Sequence, residues 1–477
     1  MNFSVLIHVF IISIAMLLGV LLRSKIKIFQ KFLIPSPILG GFILLVFYNV
    51  FAPKLNLETK FLGTLVYHLL NISFISMMLR VHPEEKKTGK IKRSVKQTTV
   101  AILGQYGLQV TLSLILVFIL TSTIYPDLFP TIAYSLPLGF ELGPGQAYSM
   151  SIVWEPLGFT GASSVGLTMA ALGFIIGSIG GVILINIGIK RGWMTDEQIK
   201  RLRSQETQTG FLSMHKIEGS KLTTNSESID TLTYHFALIF LCYFFSWAFL
   251  TGIQALLQLI GPMGLELANS LWGINFVFSC LVAIVVRKIL EKNGLDRSVD
   301  NGTLNRITGL SVDTTVCASL GAISIVSMSN YWGPVIILVI LGIFITVFLL
   351  PLYTSRLFDD NQFYRTLLIF GSSTGTLPTG LALLRIVDPN FETPVAEDYA
   401  KASGLILPCA IPIILTVNLP AKTFTTGDPK YSMIALGVAV VYLLAFLFLY
   451  TKMSNKRAWK DKSKFFYVNK EIRNSVK

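Results

Sequence analysis

The chain is 477 residues long, 52% of them apolar and only 14% charged, a balance that excludes an ordinary soluble domain. Its formal net charge is +14, but the basic residues fall in separate short connections, which argues against nucleic-acid binding and for a chain oriented in a lipid bilayer. The cysteines, Cys242, Cys280, Cys317 and Cys409, sit singly in apolar runs without metal-ligand spacing. They are expected as buried small hydrophobes, not as disulfides or metal ligands.

Apolar runs long enough to cross a hydrocarbon core of about 30 Å recur from end to end. They lie near 3–22, 33–51, 61–80, 97–121, 163–190, 232–258, 267–287, 308–328, 333–354, 397–419 and 431–451. The first has neither a basic flank before it nor a small-residue cleavage site after it, so it is expected as a span and not as a removable signal. Basic clusters at 23–31, 80–96, 190–221, 287–306, 356–365 and 452–477 alternate with connections near Pro126, Pro262 and Tyr331 that carry almost none. Only Lys54, Lys60, Lys422 and Lys430 run against this alternation. The positive-inside rule then predicts an N-terminus outside and a C-terminus in the cytoplasm, with some contact between the basic loops and anionic lipid.

Two stretches inside this apolar sequence cannot be plain spans. Leu138-Gly-Phe-Glu-Leu-Gly-Pro-Gly-Gln-Ala-Tyr-Ser-Met150 and Phe370-Gly-Ser-Ser-Thr-Gly-Thr-Leu-Pro-Thr-Gly380 are rich in helix breakers. Each freed backbone group would lack a partner in lipid, so such segments must be buried in protein or line a wet cavity. The crossing count requires the chain to leave and return on one side at each of them. A re-entrant hairpin from outside is therefore predicted near 134–155, and one from inside near 365–387, with Pro137, Pro144 and Pro378 at or near the tips.

The polar stretch 191–230 reads as a cytoplasmic linker. On either side of it the order repeats: four spans, a hairpin, a fifth span. An odd number of crossings makes the second copy inverted, an organisation in which a site forms near the midplane where the broken elements meet. The predicted fold is an all-α polytopic membrane protein of about 11 transmembrane helices. Its parts are a first inverted repeat at 1–190, the linker at 191–230, a second repeat at 231–420, and an extra transmembrane helix with a basic cytoplasmic tail at 421–477.

The tips carry the candidate chemistry. Exposed N–H groups at half-helix starts suit a carboxylate, while unwound carbonyls and hydroxyls suit sodium. Gly143, Gly145, Ser149, Ser373, Thr374, Thr376 and Thr379 are the candidate substrate residues, together with Arg385 as a partner for a substrate carboxylate. Glu141, Ser372 and Asp313 are candidate cation ligands, since a charge at mid-bilayer costs about 3 kcal/mol or more and is a functional signal. The competing readings are plain: the hydroxyls can serve local backbone or close helix contacts, and Arg385 can snorkel to the inner surface. His8, His68 and His235 are expected to pack or to sit at interfaces.

These segments resemble the bacterial sodium/glutamate symporter family. Ile34-Pro-Ser-Pro-Ile-Leu-Gly-Gly41 is similar to that family's Pro-x-Pro-x-x-Gly-Gly start of the second span. Gly143-Pro-Gly-Gln-Ala-Tyr-Ser149, Gly158-Phe-Thr-Gly-Ala-Ser-Ser-Val165, Thr168-Met-Ala-Ala-Leu-Gly173 and Gly177-Ser-Ile-Gly-Gly181 resemble its first hairpin and fifth span. Gly375-Thr-Leu-Pro-Thr-Gly380 and Leu405-Ile-Leu-Pro408 resemble the second hairpin and last core span, so the resemblance covers roughly 3–420. It implies a homodimeric, sodium-driven carrier of glutamate or a related small organic anion in the cytoplasmic (inner) membrane, with no cofactor beyond the coupling ion. It also implies a scaffold part and a mobile transport part, and hence elevator-type alternating access. Thr416 stands where the family has an acidic residue and enters the candidate cation set on that ground. The chain departs from the family with Phe140-Glu-Leu142 in place of Gly-Gly-His, and with a polar Gly371-Ser-Ser-Thr-Gly375 where the family has Gly-His-Cys-Gly-Phe-Gly-Leu-Gly. No His-Glu-x-x-His or paired catalytic carboxylate points to an enzyme. A channel on the same scaffold, or a transport-inactive sensor, is the alternative.

Overall fold

The computed structural model describes residues 4–32, 34–55, 57–80, 93–191, 193, 209, 219–225, 227–259, 261, 268, 271–273, 275–326, 328–375, 377–388 and 393–454. Among them every regular element is helical. In the first part these are α1 (Ser4–Lys25), α2 (Ser36–Val46, carried on by distorted turns to Leu55), α3 (Lys60–Met78) and α4 (Arg93–Thr123). Next come α5 (Ile132–Pro137, with a π-helical extension Leu138–Leu142), α6 (Pro144–Ser151, extended to Leu157) and α7 (Ala162–Lys190). The second part holds α8 (Thr231–Gln258), α9 (Asn275–Lys292), α10 (Asn301–Gly321) and α11 (Trp332–Ile343, running on through π-helical turns to Leu357). It ends with α12 (Gln362–Ser372), α13 (Leu377–Val387), α14 (Val395–Ile414), α15 (Leu419–Thr426) and α16 (Lys430–Met453).

Helices overlap each of the predicted apolar stretches. Among the described residues eight are by themselves long and apolar enough to cross a membrane, and the segment from Val395 to Thr426, bent by 50° near Pro408, makes a ninth if it is one span. A proline removes a ladder hydrogen bond and clashes with the turn before it, which accounts for the bend. The helix α9 falls short because it ends in Arg287, Lys288, Glu291 and Lys292, and α10 because it carries Asn305, Arg306, Asp313 and many small polar residues. The chain is a multi-pass membrane protein. Large apolar side chains such as Leu17 (70% exposed), Phe244 (55%) and Val441 (68%) cover the outward faces of α1, α8 and α16. A water-soluble molecule does not leave so continuous an apolar surface uncovered.

One boundary moves. The eighth stretch, expected at 308–328, forms a helix from Asn301 to Gly321 instead. Asp300 caps it, its carboxylate accepting from the Thr303 N–H at 2.7 Å. The Asp300 N–H in turn donates to Nε2 of buried His235 at 2.8 Å. This short-range signal outweighs the position of the apolar run. Two further histidines also pair, His8 with the Tyr48 hydroxyl and His68 with that of Tyr243. Of the cysteines, Cys409 is exposed, against expectation; it lies on the face of α14 that turns away from its neighbours.

Small residues let the helices approach. A Cβ on Gly40 would sit 2.8 Å from the Ala15 carbonyl oxygen of α1, and one on Gly41 would sit 2.5 Å from Leu320 Cδ1 of α10. The Gly-Gly pair of the second span is therefore where α2 is clamped between two neighbours, the small-residue packing expected where lipid supplies no hydrophobic drive. Buried Gln97 of α4 ties α4 to the ends of α11 and α16, donating from Nε2 to the carbonyls of Leu357 and Met453 at 2.7 and 3.1 Å. The extra helix α16 runs along α4, with Tyr442 against Gly107.

Candidate functional site

Two helix breaks organise the interior. The first is Gly143, with φ +88° and ψ −178°, a backbone region essentially reserved for glycine. The π-helical extension of α5 ends there, and α6 begins with Pro144 at its first position, where a missing N–H costs nothing. At 1.5 Å per residue, α5 and α6 with their extensions are about 16 and 21 Å long, too short to cross. The second break joins α12 to α13, each about 16 Å long on the same rule. Their backbones pass so close that a Cβ on Gly371 would sit 2.7 Å from Gly380 Cα, and one on Gly380 would sit 2.4 Å from the Leu368 carbonyl oxygen.

Helix α7 holds both. Down its length a Cβ on Gly166 would meet the Ala147 carbonyl oxygen at 2.9 Å, one on Gly173 the Thr374 carbonyl oxygen at 2.6 Å, and one on Gly177 Thr374 Oγ1 at 2.4 Å. Farther along, Gly181 faces Leu383 and Gly188 faces Phe363. The glycines of the fifth span thus form one docking stripe for the arms of both breaks.

The tips meet at a cavity offering about 180 Å³ to water-sized molecules. Glu141, Gly145 and Gln146 border it from the first break and Ser372 and Leu377 from the second, with further walls from α3, α4, α9, α10 and α14. Gln109 Nε2 donates to Glu141 Oε1 at 3.2 Å, and the Ser373 hydroxyl lies beside the same carboxylate without reaching good hydrogen-bond geometry. Around them stand buried polar atoms with no protein partner: Tyr106 Oη and Thr315 Oγ1 on the cavity lining, and Gln109 Oε1 and Ser373 Oγ beside Glu141. Unpartnered buried polar groups are rare in proteins, and clustered ones are what a polar solute or ion would satisfy.

The predicted site residues separate into groups. Glu141, Gly145 and Ser372 line the cavity, Ser373 stands beside Glu141, and Gly143 is the hinge between the arms. Thr374 and Thr379 are buried behind the tip: Thr374 Oγ1 donates to its own helix at Phe370 O (2.8 Å), and both pack toward Gly177. Ser149 is buried with an unpartnered hydroxyl, away from the cavity lining. Thr416 pairs with Tyr134 Oη at 2.8 Å and donates to Ile413 O at 2.7 Å, which holds its hydroxyl proton on its own helix. Asp313 is exposed, one residue from Val312 and two from Thr315, both of which line the cavity. A step of 100° per residue turns it outward. Thr376 and the Arg385 side chain lie outside the described residues. Among the described residues no group of three or more His, Cys, Asp or Glu could hold a metal, so a cation here would rely on Glu141 with hydroxyl and carbonyl oxygens.

Sequence reasoning missed Gln105, Tyr106, Gln109 and Thr315. A usable signal was present in the spacing of Gln97, Gln105 and Gln109 within one apolar span, because an intramembrane amide, like a charge, needs a partner.

The family model described as "Sodium/glutamate symporter" matches residues 1–361. The chain belongs to the sodium/glutamate symporter family. Relatives named sodium/glutamate symporter, from Escherichia coli (strain K12) and Shigella flexneri, are each 22% identical to it over 386 residues, covering 80% of this chain and 88% of theirs. No solved structure matches. The family match ends just before α12, so the second break and the extra helix lie beyond it. The chain is a transporter-family protein and not an enzyme.

Proposed function

We propose that this chain is a sodium-coupled secondary active carrier, and that the cavity between the two tips is its solute site. The observation that carries the reading is the meeting of two broken helix pairs around one buried carboxylate, Glu141, amid unpartnered hydroxyls and amides. Family membership supports sodium as the coupling ion and makes glutamate, or a related small organic anion, the first solute to test. Of the helices that wall the cavity, α9 and α10 pack on α3, while α14 and the first arm pack on α4. That division supports elevator-type alternating access, with 1–190 and 231–420 as inverted repeats, their breaks as re-entrant hairpins near 134–155 and 365–387, and 191–230 as the linker. The same reading includes a homodimer in the cytoplasmic membrane, N-terminus outside and C-terminus inside, with 421–477 outside the repeats.

The functional test is uptake of labelled amino acids into proteoliposomes under an imposed sodium gradient. Saturable accumulation that stops when the gradient is collapsed is expected. Flux that is linear in concentration and indifferent to sodium would mark a channel and end the carrier reading. For orientation, an engineered cysteine at position 215 should resist an impermeant reagent in intact cells.

A further inference from the structure

A second cavity lies apart from the solute site, where α2 and α7 face each other. It offers about 570 Å³ to water-sized molecules, within the range of about 300–1,000 Å³ typical of ligand pockets. On α2, Leu39, Phe42, Ile43 and Val46 line it at i, i+3, i+4 and i+7, a single helix face. The glycines of α2 take the other side, Gly40 against α1 and Gly41 against α10. On α7, Ile175, Ser178 and Ile179 line it at i, i+3 and i+4, while the stripe of Gly173, Gly177 and Gly181 that docks the broken pairs faces away from it. The groove therefore separates the helix that holds both tips from the helix clamped to α1 and α10. Ser178 is the one polar residue of its described lining, and at 3% exposed it leaves the surface apolar. The rim is open, with Val46 56% and Phe51 52% exposed.

Charge says what fits there. Leu22, Phe29 and Ile34 line one end, and the connection between α1 and α2 at that end carries Arg23, Lys25, Lys27 and Lys31, with no acidic residue in the chain before Glu58. This corner is braced: Arg23 Nη1 donates to Phe29 O at 3.1 Å and Gln30 Nε2 to Ser24 O at 2.8 Å, while Lys25, Lys27 and Lys31 stay exposed. Lys190, exposed at the end of α7, is eleven residues from Ile179 and so within about 20° of it round the helix. The orientation proposed above puts these lysines at the cytoplasmic surface, whose anionic lipids attract basic residues beside a span. Along α2, Ile43 lies about 10 Å from Ser36, inside the roughly 15 Å that the acyl chains of one leaflet fill. We infer that the groove binds an anionic phospholipid. Its phosphate is held among Lys25, Lys27, Lys31 and Lys190, and an acyl chain lies between the apolar face of α2 and Ile175 and Ile179. Such a lipid joins α7 to α2 and bears on any movement of one past the other.

The test is a titration of the full-length protein, purified in detergent, with phosphatidylglycerol and with phosphatidylcholine of identical acyl chains. Binding is read by thermal unfolding and by native mass spectrometry. Phosphatidylglycerol is expected to bind, and to raise the unfolding midpoint, at a concentration at least tenfold lower than phosphatidylcholine. Combining Lys25→Gln, Lys27→Gln and Lys31→Gln should erase most of that preference, about fivefold for each lysine. Ile43→Trp, which fills the groove, should weaken both lipids alike. Equal binding of the two lipids by the wild type overturns the inference, and so does a preference that survives in the lysine variant. Undiminished lipid binding by Ile43→Trp puts the lipid elsewhere, and a change of oligomeric state in that variant makes another copy of the chain the occupant; either result overturns it too. Should Ile43→Trp fail to fold, the lysine variant, altered only at exposed positions, decides.

Discussion

The two breaks in this membrane protein differ in what they expose. At the first, a single glycine with φ +88° turns the chain and leaves a buried carboxylate facing the cavity. At the second, two arms lock backbone to backbone at Gly371 and Gly380, and the hydroxyls of Ser372 and Thr374 donate to their own helix, on Ile369 O and Phe370 O. The first tip presents chemistry, and the second closes the wall opposite it. Paired interruptions in the sequence therefore need not be equivalent sites: one can supply the ligand group while its counterpart supplies shape.

The strongest way to break the comparison lies at the base of the second pair of arms. Arg365, 1% exposed, donates from Nη2 to Asp398 Oδ2 at 2.8 Å, fastening α12 to the start of α14, and it also reaches Asp360 at 3.1 Å. Removing one member of a buried pair leaves an uncompensated charge, at a cost of about 3–5 kcal/mol. Arg365→Met should therefore destabilise strongly in a thermal-unfolding assay in detergent, whereas Arg365→Met with Asp398→Leu should recover most of the loss. Equal instability of single and double variants would show that the pair is not what anchors the second break.

The two glycine devices come next. Gly380→Ala places a Cβ 2.4 Å from the Leu368 carbonyl oxygen, a backbone clash that no rotamer relieves, so about 3 kcal/mol of stability should go with it. Gly143→Ala must hold a glycine-only conformation, at a cost of order 1–3 kcal/mol. Because Gly143 sets the direction of Glu141, uptake should fall further than stability does. If Gly380→Ala impaired uptake at full stability while Gly143→Ala only unfolded the protein, the assignment of shape and chemistry to the two tips would be reversed.

Much of this was legible in the sequence, for identifiable reasons. Spans announce themselves by length and apolarity, and Gly143, Gly371 and Gly380 by breaking such runs. Glu141 stood out because a charge inside an apolar run needs a reason. Rotation about a helix axis was not legible: Asp313 and Thr315 are two residues apart, yet one is exposed and the other borders the cavity. The apolar runs around them are too uniform to give the phase. Gln105 and Gln109 escaped notice because uncharged amides barely dent the hydropathy of a 31-residue helix. Hydroxyls at a tip look alike in sequence, and only packing separates Ser373, beside Glu141, from Thr374, pressed against Gly173 and Gly177.

That last pair gives the smallest and most discriminating test. Thr374→Val keeps the volume that fills the gap against α7 and removes one hydrogen bond within its own helix, so it should cost about 1 kcal/mol or less and leave uptake near normal. Ser373→Ala removes a hydroxyl that has no partner of good geometry, so stability should hardly change. Its position beside Glu141 nevertheless predicts a shift in apparent affinity, because a donor close to the carboxylate competes with a positive solute group for the same oxygens. The two variants should thus differ in opposite senses: stability falls slightly and uptake holds in one, stability holds and affinity moves in the other. If Thr374→Val abolished uptake and Ser373→Ala did nothing, the second tip would be contributing a ligand through Thr374, and the contrast between a chemical tip and a structural one would fail.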